Sequence, residues 1–592
     1  MARLLERRRA SMPPELLARV GLAWALVCVL LLLTNFAEIS ARRFPGPDDV
    51  LRLVQLRDLL GGQSWFDVTQ YRIDAANGGV AMHWSRLVDI PLLAVIGLLT
   101  PVFGQHAAEG IALVMVPLVT FGLALLLVGR MVWRLVGGEA AGLACLAMAL
   151  SVPVVTQLRP MRIDHHGWQI VAALLAVNGM MSRSPKLGGW ATGFALALWL
   201  SISVEGLPLA VAICGLAALR WWRDRADRLW LVSILQSLAV SSAALFAATR
   251  GISDLATYCD AIAPVHLAIF AWSAVSVTAL AAMEPRPRAI IVGGFALMGA
   301  GALGIVFNSA PQCAGGGFGE MDPVVSTYWL DLVAEGLPVW RQPFATILQT
   351  IIPPVIGILA AIQLAGKSSD WLRRWWTDYA ILLVAALVLA IFVTRAGAVA
   401  GALAAVPLGW QITQWIRAAR NMRQSGKRVL ALAGVAVALL PAMPLTLFTL
   451  AIPAKAANEG EVVKANSCDI PGAAQALAKL PAGEIFAPLD IGPQLLLETK
   501  HTVAATGHHR GQNGIRAVIE TFTGTSEEAR ETLAVRGSAY VALCPALFES
   551  RYYESLSEDG FAAQLRAGDT PEWLTPIATP QGSDFKIWRI KR

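Results

Sequence analysis

Apolar runs alternate with short polar connections through the first three quarters of the chain, and the alternation stops near Pro453. A helix crossing a bilayer needs about 20 mostly apolar residues, because each adds ~1.5 Å against a hydrocarbon core of ~30 Å. The first run ends at about Phe36. The others are Ile111 to Trp133, Ala140 to Val155, Gln169 to Met181, Leu187 to Ile202, Leu207 to Ala218, Leu229 to Ala248, Leu267 to Ala282, Ile290 to Phe307, Thr346 to Leu364, Tyr379 to Val393, Gly397 to Trp410 and Val429 to Ile452. Counted this way, the pattern predicts about thirteen spans. A Pro-flanked piece, Ile90 to Pro101, reads as too short to cross and as an interfacial helix closing a large polar loop, 37–89. A second long loop covers 308–345.

Beyond the last run the periodicity changes to that of a soluble domain. Helical stretches (Gly472 to Leu480, Ser526 to Val535) alternate with strand-like ones (Tyr540 to Cys544, Phe585 to Ile590). The predicted fold class is a polytopic α-helical membrane protein, with a transmembrane domain over 1–454 and a small extracytoplasmic α/β domain over 455–592.

Composition agrees with a bilayer as solvent: 56% of residues are hydrophobic and 15% charged. The net charge of +7 does not point to nucleic acid, because the Lys and Arg sit in short clusters between apolar runs with no basic stripe. Arg3, Arg7, Arg8, Arg9 and Arg19 precede the first run without a cleavage site after it, which predicts a retained anchor with its N-terminus cytoplasmic. Further basic clusters fall in alternate connections, and the odd count of spans sends the terminal domain to the outer face of a bacterial-type inner membrane.

Four outward stretches hold polar residues that topology does not require. Asp48 and Asp49 follow the first span in Pro47-Asp48-Asp49-Val50-Leu51-Arg52. Paired carboxylates there suit a cation or a proton, and a helix-capping turn is the plain alternative. Arg159-Pro160-Met161-Arg162-Ile163-Asp164-His165-His166 packs titratable groups into a short loop at the membrane edge. The long loop carries Gly315 to Gly317 and then Val333-Ala334-Glu335, in keeping with either a closing loop or a flexible connector. Arg395, at the outer end of a span, suits either lipid headgroups or an anionic ligand.

Together, in this order and topology, these stretches resemble the catalytic subunit of oligosaccharyltransferase and the wider family of membrane glycosyltransferases of the C fold. The resemblance implies a catalytic carboxylate at Asp48, with Asp49 as the alternative. It implies a metal set of Asp48, Asp164 and His166, where His166 stands in place of the family's second acid, and a loop glutamate at Glu335. Arg395 takes the position of the family's donor-phosphate arginine, and Arg159 and Arg162 are further cations near the outer face. The implied activity is transfer of a sugar or oligosaccharide from a polyprenyl-phosphate-linked donor to a glycan, lipid or protein acceptor. The implied cofactor is a divalent ion, manganese or magnesium, although imidazole favours manganese or zinc over magnesium and also suits a metal-free route. The family's W-W-D-Y-G motif has only one likeness, Trp375-Trp376-Thr377-Asp378-Tyr379, which falls on a cytoplasmic turn and reads as interfacial aromatics. A transporter or flippase of a lipid-linked glycan is the rival class, for which midplane charges and repeated halves would be expected. Export of the terminal domain to an oxidising compartment predicts a disulfide between Cys468 and Cys544, with Cys259 and Cys313 as a second pair.

Overall fold

The computed structural model describes residues 12–285, 287–445, 447, 468–579 and 583–591. Arg3, Arg7, Arg8 and Arg9 lie outside them, as does the end of the last predicted span. Among the described residues, ten helices are long and apolar enough to cross a membrane. One of them corrects the reading of Ile90 to Pro101 as too short. The turn Arg86–Val88 leads directly into the helix Asp89–Phe103, so the element reaches 18 residues.

Over the described residues, the other predicted runs form shorter or less apolar helices. Ala140 to Val155 breaks into Gly138–Ala149 and Val152–Thr156, with Pro153 in the first turn of the second piece, where a missing N–H costs nothing. His166–Gly179 has 14 residues, Pro185–Ile202 has 18, and Ser425–Leu439 has 15.

The chain forms two compact units. The first contains the helices up to Arg43, Trp84–Gly319 and the chain from Val333. Its tightest crossing pairs Pro185–Ile202 with Arg228–Thr249. Gly189 and Gly193, spaced as small-xxx-small, let the two backbones meet: a Cβ on Gly193 would stand 2.3 Å from the Ile234 carbonyl oxygen. The Ser237 hydroxyl donates to the Trp190 carbonyl across this crossing at 2.7 Å. The aromatic run at 375–379 is not an interfacial turn. It lies inside the helix Asp370–Phe392, with Trp375, Trp376 and Tyr379 buried, and Asp378 pairs with Arg220 at 2.6 Å. These residues are helix-packing groups, because a helical repeat turns three aromatics and the acid toward neighbours.

The second unit is assembled from Phe44–His83, Glu320–Leu332 and the described terminal residues. Its five-stranded sheet runs, in order, Thr502–Val503, Glu484–Phe486, Tyr540–Leu543, Lys586–Ile590 and Leu574–Ile577. The first three strands are mutually parallel and the last two pair antiparallel. Phe486, Phe522, Tyr553 and Phe561 stack under it. The loop after the first span is built into this unit: Ile73 bridges Val503, the Arg72 guanidinium donates to the Leu496 carbonyl at 2.8 Å, and Arg536 pairs with Asp74 at 2.7 Å. Both expected disulfides are present, Cys468–Cys544 in the second unit and Cys259–Cys313 in the first.

Candidate active site

Four junctions between helices of the first unit bring charged residues to one place. The first is the loop Gln157–His165, whose path depends on a left-handed residue, Met161 (φ 67°), and on its amide donating to the Leu113 carbonyl at 2.9 Å. This turn delivers Arg162 and Asp164, and His166 opens the following helix, His166–Gly179. The second junction is the turn Val204–Gly206 with Glu205. The third is the turn Ala334–Gly336 with Glu335, and the fourth is Thr394–Ala396 with Arg395. The last two are tied together: the Thr394 amide and hydroxyl both donate to the Leu337 carbonyl, at 3.1 and 2.6 Å.

The side chains form one continuous ionic network. Arg395 reaches Glu205 at 2.5 Å through Nη2 and Glu335 at 3.6 Å through Nη1. Arg162 reaches Glu335 at 3.6 Å and Asp164 at 3.5 Å. His165 Nδ1 lies 2.5 Å from Asp164, and His166 Nε2 lies 3.4 Å from Asp164 and 3.8 Å from Glu335. Gln169 donates to Glu205 at 3.1 Å and accepts from the Trp199 indole at 3.0 Å, which fixes the amide.

Burial alone would raise the Asp164 carboxyl, but the charges of His165 and His166, the hydrogen bond with His165 and the charge of Arg162 hold it well below the usual carboxylate range. Glu335 behaves alike: its burial is outweighed by the hydrogen bond and charge of His166 and by Arg395, and its pKa falls to about 2. Burial pushes the His165 imidazole down, toward the neutral form a metal ligand needs. Asp164, His165 and His166 each offer a ligand atom, all within 4.8 Å of one another. One carboxylate and two imidazoles suit manganese or zinc better than magnesium.

Of the residues predicted from sequence, the first unit brings together Asp164, His166, Glu335, Arg395 and Arg162. Arg159 is half-buried earlier in the same loop and joins none of these ion pairs. Asp48 and Asp49 belong to the second unit, in the first turn of the helix Pro47–Leu60, where the helix dipole favours carboxylates. Glu205 and Gln169 were not among the predicted site residues. The signal was available, since Glu205 is the only charged residue between Lys186 and Arg220, and a lone ionisable group in an apolar stretch marks function by default.

The protein-family models and the curated proteins yield no match to this chain. Solved structures do. The archaeal oligosaccharyltransferase AglB from Archaeoglobus fulgidus, in complex with an inhibitory peptide and a dolichol-phosphate, superposes with a TM-score of 0.67 at 14% identity, covering 96% of this chain and 74% of that one. The Archaeoglobus fulgidus oligosaccharyltransferase tethered to an acceptor peptide containing the NVT sequon gives 0.63 at 15% identity, covering 98% and 74%. Its complex with Zn and sulfate gives 0.55 at 14% identity, covering 97% and 73%. Over nearly its whole length, then, the chain has the fold of a membrane-embedded oligosaccharyltransferase, the fold its motif resemblance implied.

Proposed function

We propose that this chain is an integral membrane glycosyltransferase that moves a sugar or oligosaccharide from a polyprenyl-phosphate-linked donor to an acceptor on the outer face of the inner membrane. The observation that carries this reading is the network of Arg395, Arg162, Glu335, Glu205, Asp164 and His166 at four helix junctions of one unit. Cleaving a sugar–phosphate bond leaves negative charge on the phosphate, and guanidinium groups aimed at that charge lower the barrier. Arg395 and Arg162 supply them, and the carboxylates between them hold both in place. A divalent ion on Asp164 with His165 and His166 would add positive charge at the leaving phosphate. Manganese or zinc is the choice the donor set favours, in keeping with the archaeal structure that holds Zn and sulfate.

The archaeal complex with a dolichol-phosphate supports a polyprenyl donor for this chain. The resemblance gives Asp48, or Asp49 beside it, the role of the carboxylate that orients the acceptor, which is a glycan, lipid or protein. Disulfides at Cys259–Cys313 and Cys468–Cys544 support an oxidising, periplasmic setting for those segments.

The test is transfer by the purified protein in liposomes supplied with a radiolabelled polyprenyl-phosphate-linked sugar and an acceptor extract. Asp164→Asn and Arg395→Gln are expected to lose about 100-fold or more, the scale of removing one charge-stabilising group. Asp48→Asn and Asp49→Asn, assayed separately, assign the orienting carboxylate. Wild-type rates in the Asp164 and Arg395 variants would overturn the assignment of the site, and movement of the donor across the bilayer without its consumption would overturn the reading in favour of a flippase.

A further inference from the structure

A second cluster of metal-ligating side chains lies in the second unit, outside the network described above. His83 follows the hairpin Thr69–Gln70/Val80–Ala81, and His508 and His509 sit at the turn that precedes the helix Gln512–Thr523. His83 Nδ1 and His508 Nε2 stand 2.8 Å apart. The three ring centroids are 5.0, 4.8 and 4.9 Å from one another, and one nitrogen from each ring lies within 4.8 Å of the other two.

The surrounding chain sets this convergence. The Arg510 guanidinium, next to the histidine pair, donates to the carbonyls of Ala81 and Met82 at 3.3 and 3.4 Å, so the turn is clamped to the hairpin end just before His83. The Gly511 amide closes the turn on the His508 carbonyl at 2.8 Å. One strand earlier, the Asp74 amide donates to the Val503 carbonyl and the Val503 amide to the Arg72 carbonyl, each at 2.9 Å. Segments more than four hundred positions apart thus present imidazoles to a common point from braced backbone.

We propose that His83, His508 and His509 form a binding site for a late first-row divalent cation, Zn2+ in the first instance. Metal–imidazole bonds of roughly 2.0–2.1 Å place neighbouring nitrogens about 3 Å apart, which the His83–His508 pair already meets. His509 is half-exposed, and its ring closes the third side by rotation. An all-imidazole donor set selects zinc, nickel or copper over magnesium, manganese or calcium, which prefer oxygen. The ion acts as a clip that joins the segment Phe44–His83 to the terminal domain, and its binding stabilises the folded form by mass action.

The experiment uses tag-free, full-length protein in detergent, stripped with a chelator and then titrated with Zn2+. Metal content is measured by mass spectrometry and stability by thermal unfolding. Wild type is expected to take up a zinc equivalent that His83→Gln and His509→Gln each weaken about 100-fold or more, since even losing an outer-shell partner costs roughly 10- to 100-fold. That equivalent survives in Asp164→Asn and His166→Gln, which separates it from the other cluster. Without metal, the His509→Gln variant unfolds at the wild-type temperature; only the zinc-dependent rise is lost. Wild type that binds no zinc at micromolar concentration, or histidine variants with the wild-type zinc content and thermal gain, would overturn the proposal. If one variant fails to fold, the other variant and the absorption spectrum of the Co2+ form of Asp164→Asn, in which the other cluster is crippled, still decide: a spectrum without nitrogen ligation overturns the proposal.

Discussion

Arg395 joins two carboxylates through two different nitrogens, Nη2 to Glu205 and Nη1 to Glu335. A lysine keeps the charge but is a single point, so it holds one acid and releases the other. Glu335, held at about 2, stays ionised through the working range. Because its pKa is depressed in the folded state, its contribution is complete above the ordinary value of 4.5 and is lost as pH falls toward about 2. With Arg395→Lys, Glu335 moves back toward its ordinary value and the acid limb of the kcat/KM profile moves to higher pH. Identical acid limbs in the two proteins would mean that Arg395 does not set the charge of Glu335. Single residues were also where sequence reading went furthest. Asp164, His166, Glu335 and Arg395 stood out because they lie in outward stretches whose polar residues topology does not require and whose order matches the family resemblance, whereas Glu205 carried the signal of a single charge in an apolar stretch. Gln169 carried none, since a neutral amide near a helix start is ordinary and only its contacts with Glu205 and the Trp199 indole single it out.

At the scale of elements, the crossing of Pro185–Ile202 with Arg228–Thr249 depends on the absence of side chains at Gly189 and Gly193. Gly193→Leu puts a Cβ 2.3 Å from the Ile234 carbonyl oxygen, a clash with backbone that no rotamer relieves. We expect this variant to unfold at lower temperature in detergent, by several degrees, and to lose monodispersity; an unchanged melting curve would show that the helices do not cross this closely. The long, apolar helices were legible from hydropathy alone. The bounds of the broken or short ones, Gly138–Ala149 and His166–Gly179, were not legible, because an apolar run does not reveal where Pro153 restarts a helix or where a polar loop ends. The terminal strands Glu484–Phe486 and Thr502–Val503 escaped notice for a related reason. They are two or three residues long, and their pairing is fixed by partners distant in sequence.

At the scale of the molecule, the two disulfides test the proposed oxidising setting together. Peptide mapping without reduction should recover Cys259 linked to Cys313 and Cys468 linked to Cys544, across 54 and 76 positions. Separate alkylated peptides for either pair would mean that its segment never meets an oxidising environment. Loss of the terminal bridge in Cys468→Ser should cost roughly 2–4 kcal/mol of that unit's stability, read as a lower melting temperature. The length of His166–Gly179 bears on the lipid itself. Its 14 residues rise only about 21 Å, short of a hydrocarbon layer of ~30 Å. Eleven of those residues are buried against neighbouring elements and none is exposed, so the shortfall is met by the surrounding protein and not by lipid. Under the proposed function, transfer is therefore expected to run at similar rates in vesicles of short-chain and long-chain phospholipid of the same headgroup, and a steep dependence on bilayer thickness would show that this short helix meets lipid after all.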